Sequence, residues 1–135
     1  MALFEWKIEY SVSVKRFDGD HKKLFSLLNE LNDAMALGQG RFVIQGVLQQ
    51  LLDYTRQHFA AEEAAMRTVA FDGLSSHIVE HRELTAKVEE FAAEYKNGGS
   101  SVTIDLLYFL RDWLDHHILC TDHEYKEVLK KSGLY

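Results

Sequence analysis

The chain predicts an all-α fold, an antiparallel up-down-up-down four-helix bundle preceded by an extended N-terminal arm. Three observations carry that prediction. Apolar residues recur at helical spacing in four long segments, proline is absent, and the glycines fall mostly between the segments, at Gly38, Gly40, Gly73, Gly98, Gly99 and Gly133. Long periodic segments joined by short glycine-bearing breaks make antiparallel neighbours. With 135 residues and 47% apolar content, one core suffices, so a single domain over residues 1–135 is expected. Residues 1–17 form its arm and 18–131 its bundle.

Residues 1–17 alternate weakly at Ile8, Tyr10, Val12 and Val14. A lone strand has no partner, so an arm packed on the bundle by Phe4, Trp6 and Tyr10 is expected instead. The first helix starts near Asp18 or Asp20, either of which can cap it, and runs to about Leu37. Its apolar line is Leu24, Phe25, Leu28, Leu31 and Met35, with His21 one turn ahead on the same stripe. The second, from about Phe42 to Met66, aligns Ile44, Val47, Leu48, Leu51, Thr55, His58 and Glu62. The break Val69-Ala70-Phe71-Asp72-Gly73 is short enough to fold the third helix back on the second. That third helix, from about Leu74 to Lys96, carries Leu74, His77, Ile78, His81, Leu84, Val88, Phe91 and Tyr95. The fourth, from about Thr103 to Lys131, carries Leu106, Leu110, Trp113, Leu114, His117, Thr121, Tyr125 and Val128.

Composition excludes several classes of function. Basic residues number 15 against 21 acidic ones and are scattered, which argues against nucleic acid as a partner. No apolar run approaches the roughly 20 residues that cross a bilayer. The arm has charges where a signal peptide needs an apolar core, and Cys120 is a lone cysteine. A cytoplasmic protein without a membrane partner is expected.

Polar residues on the buried stripes carry the chemistry. His21, His58, Glu62, His77, His81 and His117 interrupt otherwise apolar lines on all four helices. Residues four apart on a helix sit above one another, so the pairs His58/Glu62 and His77/His81 each aim two donors at one spot. One histidine on an apolar face is ordinarily a hydrogen-bonded core residue. Five of them converging with a carboxylate would leave several buried nitrogens unsatisfied, and a metal resolves that. On the fourth helix His117 continues the apolar line, whereas His116 and His123 share the wetter face. Asp122, five residues past His117, lies about 140° around an ideal helix. Either the two approach the site from different sides, or a π-type turn widens the helix there. His116, Cys120 and His123 could form a separate surface site, though two solvated histidines and an unpaired thiol account for them more simply.

Five imidazoles and two carboxylates are too many for one zinc, which takes four ligands in a structural site. Two ions fit them. Bridging carboxylates, five imidazoles and one shared oxygen leave a single open position around a six-coordinate pair, and this donor set suits iron better than zinc or copper.

Taken together, Asp18-Gly19-Asp20-His21, His58-x-x-x-Glu62, His77-x-x-x-His81 and Trp113-Leu114-x-x-His117-Ile118-x-x-x-Asp122 span most of the chain. This pattern resembles the hemerythrin family, at this length the single-domain bacteriohemerythrins, for which the up-down-up-down bundle is a known fold. The resemblance implies a non-haem di-iron centre with a bridging oxo or hydroxo group that binds O2 reversibly, for storage, delivery or sensing. It implies that His77, His81 and His117 hold the coordinatively full iron, that His21 and His58 hold the iron with the open position, and that Glu62 and Asp122 bridge. It also implies an O2 pocket of Leu24, Phe59, Trp113, Leu114 and Ile118, residues that ordinary core packing would bury as well. Asp20 stands where the family commonly has Gln, a position that is not a ligand.

The rival reading is a di-iron oxidase, peroxidase or NO-scavenging enzyme. Di-iron carboxylate bundles of that kind use Glu-x-x-His motifs, and no glutamate stands three residues before any histidine here. The expected function is therefore carriage of O2 without catalysis, with an O2-using protein or a reductase as the partner in trans.

Overall fold

The structure, a computed structural model, describes residues 4–38, 40–97 and 104–135. Among them are four helical rods and no strand. Helix α1 spans Lys15–Ala36, α2 Arg41–Thr68 and α3 Leu74–Lys96. The fourth rod is α4 (Ile104–His116), continued by a π-helical segment (His117–Asp122) into α5 (His123–Lys131). Helix α1 packs on α2, α2 on α3, and α1 again on α4, which closes a four-helix bundle. The third helix has the predicted bounds, while α2 extends slightly further at both ends. The predicted start of the fourth helix near Thr103, and Gly98 and Gly99 before it, lie outside the described residues.

The start of α1 differs from expectation. It begins at Lys15, so the arm ends at Val14, and neither Asp18 nor Asp20 caps it. Both carboxylates are engaged elsewhere. Asp18 turns back on the arm, where its Oδ1 accepts the Val12 backbone N–H at 2.8 Å and its Oδ2 accepts the Ser11 hydroxyl at 2.6 Å. Those bonds clamp a bend in which Ser13 takes a positive φ of 62°, a conformation that costs a non-glycine residue on the order of 1–3 kcal/mol. We expect Asp18→Ala to destabilise the fold by about 1.5–3 kcal/mol, the range for hydrogen bonds to a charged group. Urea unfolding checks this, with an unchanged midpoint as the contrary result.

The arm is not extended throughout, because a 3-10 turn at Ile8–Tyr10 folds it against the bundle. Phe4 stacks on Phe25 at 3.8 Å, Tyr10 meets the same ring edge-on at 5.2 Å, and Trp6 lies 5.9 Å from it. The Asn29 amide pairs with the Phe4 backbone, accepting its N–H and donating to its carbonyl, both at 2.8 Å, as a neighbouring strand would.

Two apolar clusters fill the interior. One gathers Leu24, Leu28, Leu31, Leu48, Leu51, Leu106, Leu110 and Leu114 with their neighbours; the other joins Val12, Val14 and Phe17 to Met66, Tyr125 and Leu129. Burying each such leucine contributes about 1.5–3 kcal/mol. The predicted stripe fails at Val128, which is partly exposed while Leu129 is fully buried. From Tyr125, buried as predicted, the buried line continues four residues on to Leu129 instead of three on to Val128. Between α2 and α3 the chain reverses through Ala70 at φ 51°, with the Phe71 N–H on the Met66 carbonyl and the Ala70 N–H on that of Arg67. The Phe71 ring then folds over Gly73, where an added Cβ would lie 2.6 Å from it. Gly73→Ala should therefore push the half-buried Phe71 ring aside at a cost of no more than about 1 kcal/mol, seen as a small drop in the thermal midpoint.

Candidate metal centre

The polar cluster lies between the two apolar ones. Phe59 and Trp113, on the side of the larger cluster, stack on imidazoles, Phe59 on His81 at 3.7 Å and Trp113 on His117 at 4.4 Å. From the smaller cluster, Phe17 meets His58 edge-on at 5.8 Å and Tyr125 lies 5.7 Å from His77. Leu24, Leu114 and Ile118 are buried in the larger cluster with Phe59, and Trp113 is partly buried against it. All seven predicted donors are brought together and buried: the histidines are 1–2% exposed, Glu62 and Asp122 0%.

The donors divide into two groups that share Glu62. Glu62, His77, His81, His117 and Asp122 have ligand atoms within 4.8 Å of one another, and so do His21, His58 and Glu62. The carboxylates lie between the groups. Asp122 Oδ1 is 2.8 Å from His77 Nε2 and 3.1 Å from His117 Nε2, while its Oδ2 is 3.2 Å from His21 Nε2. Glu62 Oε1 is 3.0 Å from His58 Nε2 and 3.4 Å from His81 Nε2, with Oε2 3.7 Å from His21 Nε2. Asp122 reaches this spot through the π-helical segment: i→i+5 bonding stacks residues five apart, so His117 and Asp122 share a face that an α-helix would deny them. Of the two arrangements the spacing allowed, the widened helix is the one present.

Outer partners orient the imidazoles. His58 Nδ1 donates to Asp20 Oδ2 at 2.8 Å, His81 Nδ1 to Glu63 Oε2 at 2.8 Å, and His117 Nδ1 to Glu80 Oε1 at 3.0 Å. A carboxylate can only accept, so each fixes a hydrogen on Nδ1 and turns the Nε2 lone pair inward. The Tyr54 hydroxyl donates to Asp20 Oδ1 at 2.8 Å, Thr121 donates to Glu80, and the buried Tyr125 hydroxyl donates to Glu62 Oε2. The sequence pattern offered no signal for Glu63 or Glu80 in these roles, marked Asp20 only as a non-ligand position beside His21, and placed Tyr125 only on the apolar stripe. The surface alternative is not assembled. His116 and Cys120 are exposed, and the His123 ring donates instead to the Ile118 carbonyl at 2.7 Å, satisfying backbone of the π-helical segment.

Electrostatics without a cation are unfavourable for neutral imidazoles. Burial opposes charge on His21, yet Asp122 and Glu62 outweigh it and raise its pKa to about 10; His117, opposed by burial and favoured by the same carboxylates, rises to about 9. Burial also opposes charge on Glu62 and Asp122, and Glu62 adds its repulsion to Asp122, but the surrounding imidazoles hold both carboxyls well below the usual range. All five Nε2 atoms, Glu62 Oε1 and both Asp122 oxygens are buried with no hydrogen-bond partner among the described residues. Each such orphan costs about 1–3 kcal/mol. Inward lone pairs and carboxylates that find no protein partner fit cations, and imidazole with carboxylate is a donor set suited to iron.

A four-helix bundle with this buried His/Glu/Asp cluster is a hemerythrin-type metal-binding domain. The chain belongs to that family, matching the Hemerythrin HHE cation binding domain over residues 12–129. It is 33% identical over 130 residues to the bacteriohemerythrin of Methylococcus capsulatus, covering 96% of this chain and 98% of that one. It is 31% identical over 127 residues to a hemerythrin subunit of Sipunculus nudus, with 93% of each chain covered. The crystal structure of a wild-type hemerythrin superposes with a TM-score of 0.90 at 32% identity, over 95% of this chain and 98% of that one.

Proposed function

We propose that this chain binds dioxygen reversibly at a pair of non-haem iron ions in the middle of the bundle. His77, His81 and His117 would hold one ion and His21 and His58 the other, with Glu62 and Asp122 placed to serve both. The observation that supports this most is the position of Asp122, with one oxygen beside His77 and His117 and the other beside His21. When bound, the two ferrous ions supply the two electrons that dioxygen takes up on binding and returns on release.

The chain's own residues make that exchange reversible. His21 and His58 would give their ion one imidazole fewer than His77, His81 and His117 would give theirs, which would leave room for dioxygen on the His21/His58 side. Leu24, Phe59, Trp113, Leu114 and Ile118, packed in the larger apolar cluster, would form the apolar surround that keeps water and reductants out of the site. Tyr125 holds Glu62 Oε2 in place. Two carboxylates among five imidazoles give little anionic charge with which to stabilise high-valent iron, which favours carriage over oxidation of substrates. No described helix is long and apolar enough to cross a membrane. The setting that goes with this reading is the cytoplasm, with a reductase or an O2-using protein in trans.

Anaerobic reconstitution with ferrous iron, metal analysis and visible spectra under air and then argon test this function. Two irons per chain and a visible band that appears with air and disappears with argon are expected. A single iron per chain, or an irreversible change accompanied by turnover of a reductant, overturns it.

A further inference from the structure

Among the described residues each group of donors leaves one ring without an outer hydrogen bond, His77 in one and His21 in the other. Among His77, His81 and His117, two rings have carboxylates behind them, Glu63 and Glu80. Of His21 and His58, only His58 does; His21 Nδ1 has no hydrogen-bond partner among the described residues. Charge delivered to that pair from behind the rings therefore comes through Asp20 alone. Asp20 precedes His21 on α1, but its carboxylate crosses to α2. There the Tyr54 hydroxyl and His58 Nδ1 take one oxygen each, both at 2.8 Å, and pin the group although it is partly exposed.

We propose that Asp20 is a positioning residue that sets the metal affinity of the two-histidine position, separately from the three-histidine position. The inference rests on the two-ion reading above. A carboxylate on Nδ1–H polarises that bond and makes Nε2 a stronger donor, and losing such a partner typically lowers metal affinity tenfold to a hundredfold. Among the described residues no second outer carboxylate supports the His21/His58 pair, so the loss is undivided. On the other side Glu63 and Glu80 each serve a different ring, His81 and His117.

Titrating metal-free protein with cobalt(II) chloride, followed by calorimetry and visible absorption, tests the assignment in the wild type, Asp20→Asn, Asp20→Gln and Glu63→Gln. The step that disappears in His21→Ala identifies the two-histidine position. Asp20→Asn keeps an oxygen that can accept from His58 and removes the charge; Asp20→Gln removes it with a different shape. The expected result is two steps in the wild type, with the His21-dependent step weakened tenfold to a hundredfold in both Asp20 variants and the other unchanged. Glu63→Gln weakens only the other step, and by less. A wild type with one step overturns the two-ion reading itself. Two wild-type steps that stay put, or that weaken alike, in the folded Asp20 variants overturn the role of Asp20.

Discussion

Stripping the metal should lower the unfolding midpoint by about 12–16 °C, and the gap should widen as the pH rises. A ligand at a thousandfold over its dissociation constant stabilises the folded state by about 4 kcal/mol, and about 3–4 °C per kcal/mol is typical of a chain this long. The pH dependence follows from the titrating groups. Without metal, His21 and His117 have folded pKa values raised to about 10 and about 9. Their contribution is complete below the unfolded value of about 6.5 and is lost as the pH climbs through 9 to 10. The lowered carboxyls of Glu62 and Asp122 act oppositely, contributing above about pH 4 and losing that contribution on acidification. The metal-free bundle is thus most stable between about pH 4 and 6.5. Metal-bound imidazoles must be unprotonated, so loading expels protons and gains about 1.4 kcal/mol per proton for each pH unit. Calorimetric scans of both forms from pH 6 to 9 check this; parallel curves would show that the imidazoles do not shed protons to the ions.

Glu62→Gln should reduce the bound metal from two ions per chain to at most one and abolish the air-dependent visible band. Glu62 is the residue common to both groups of donors. An amide has the same outline but carries no charge, and its NH2 end cannot coordinate. Whichever way it turns, His58 and His81 at 3.0 and 3.4 Å, or His21 and Tyr125, lose an anionic oxygen. Glu83→Gln, on the exposed face of α3, should keep two ions per chain. Elemental analysis of the reconstituted variants decides the matter, and full loading of Glu62→Gln would remove that residue from the bridge.

Much of the site could be read from spacing because its donors lie on the faces that a 3.6-residue period identifies. His58/Glu62 and His77/His81 are pairs four apart, and His21 and His117 continue apolar lines. Those lines predict burial, and all of these residues are buried. Asp122 was accessible only as a choice between two geometries, because periodicity assumes an unbroken α-helix and the π-helical segment departs from it. Val128 was misplaced because positions three and four beyond Tyr125 both lie near its face, and packing turned Leu129 inward. The capping role expected of Asp18 or Asp20 followed from local preference, which other partners overrode: the neighbouring arm took Asp18, and Tyr54 with His58 on the second helix took Asp20.

The amino-acid order by itself determined which segments become helices and which side of each helix carries imidazoles and carboxylates, because both depend on repeats within a single segment. Only the packed bundle decided that Asp20, Glu63 and Glu80 stand behind His58, His81 and His117, and that Tyr125 grips Glu62. These contacts join residues 18 to 63 positions apart. They depend on how far each helix is rotated and shifted along its neighbour, and no pattern confined to one helix encodes that.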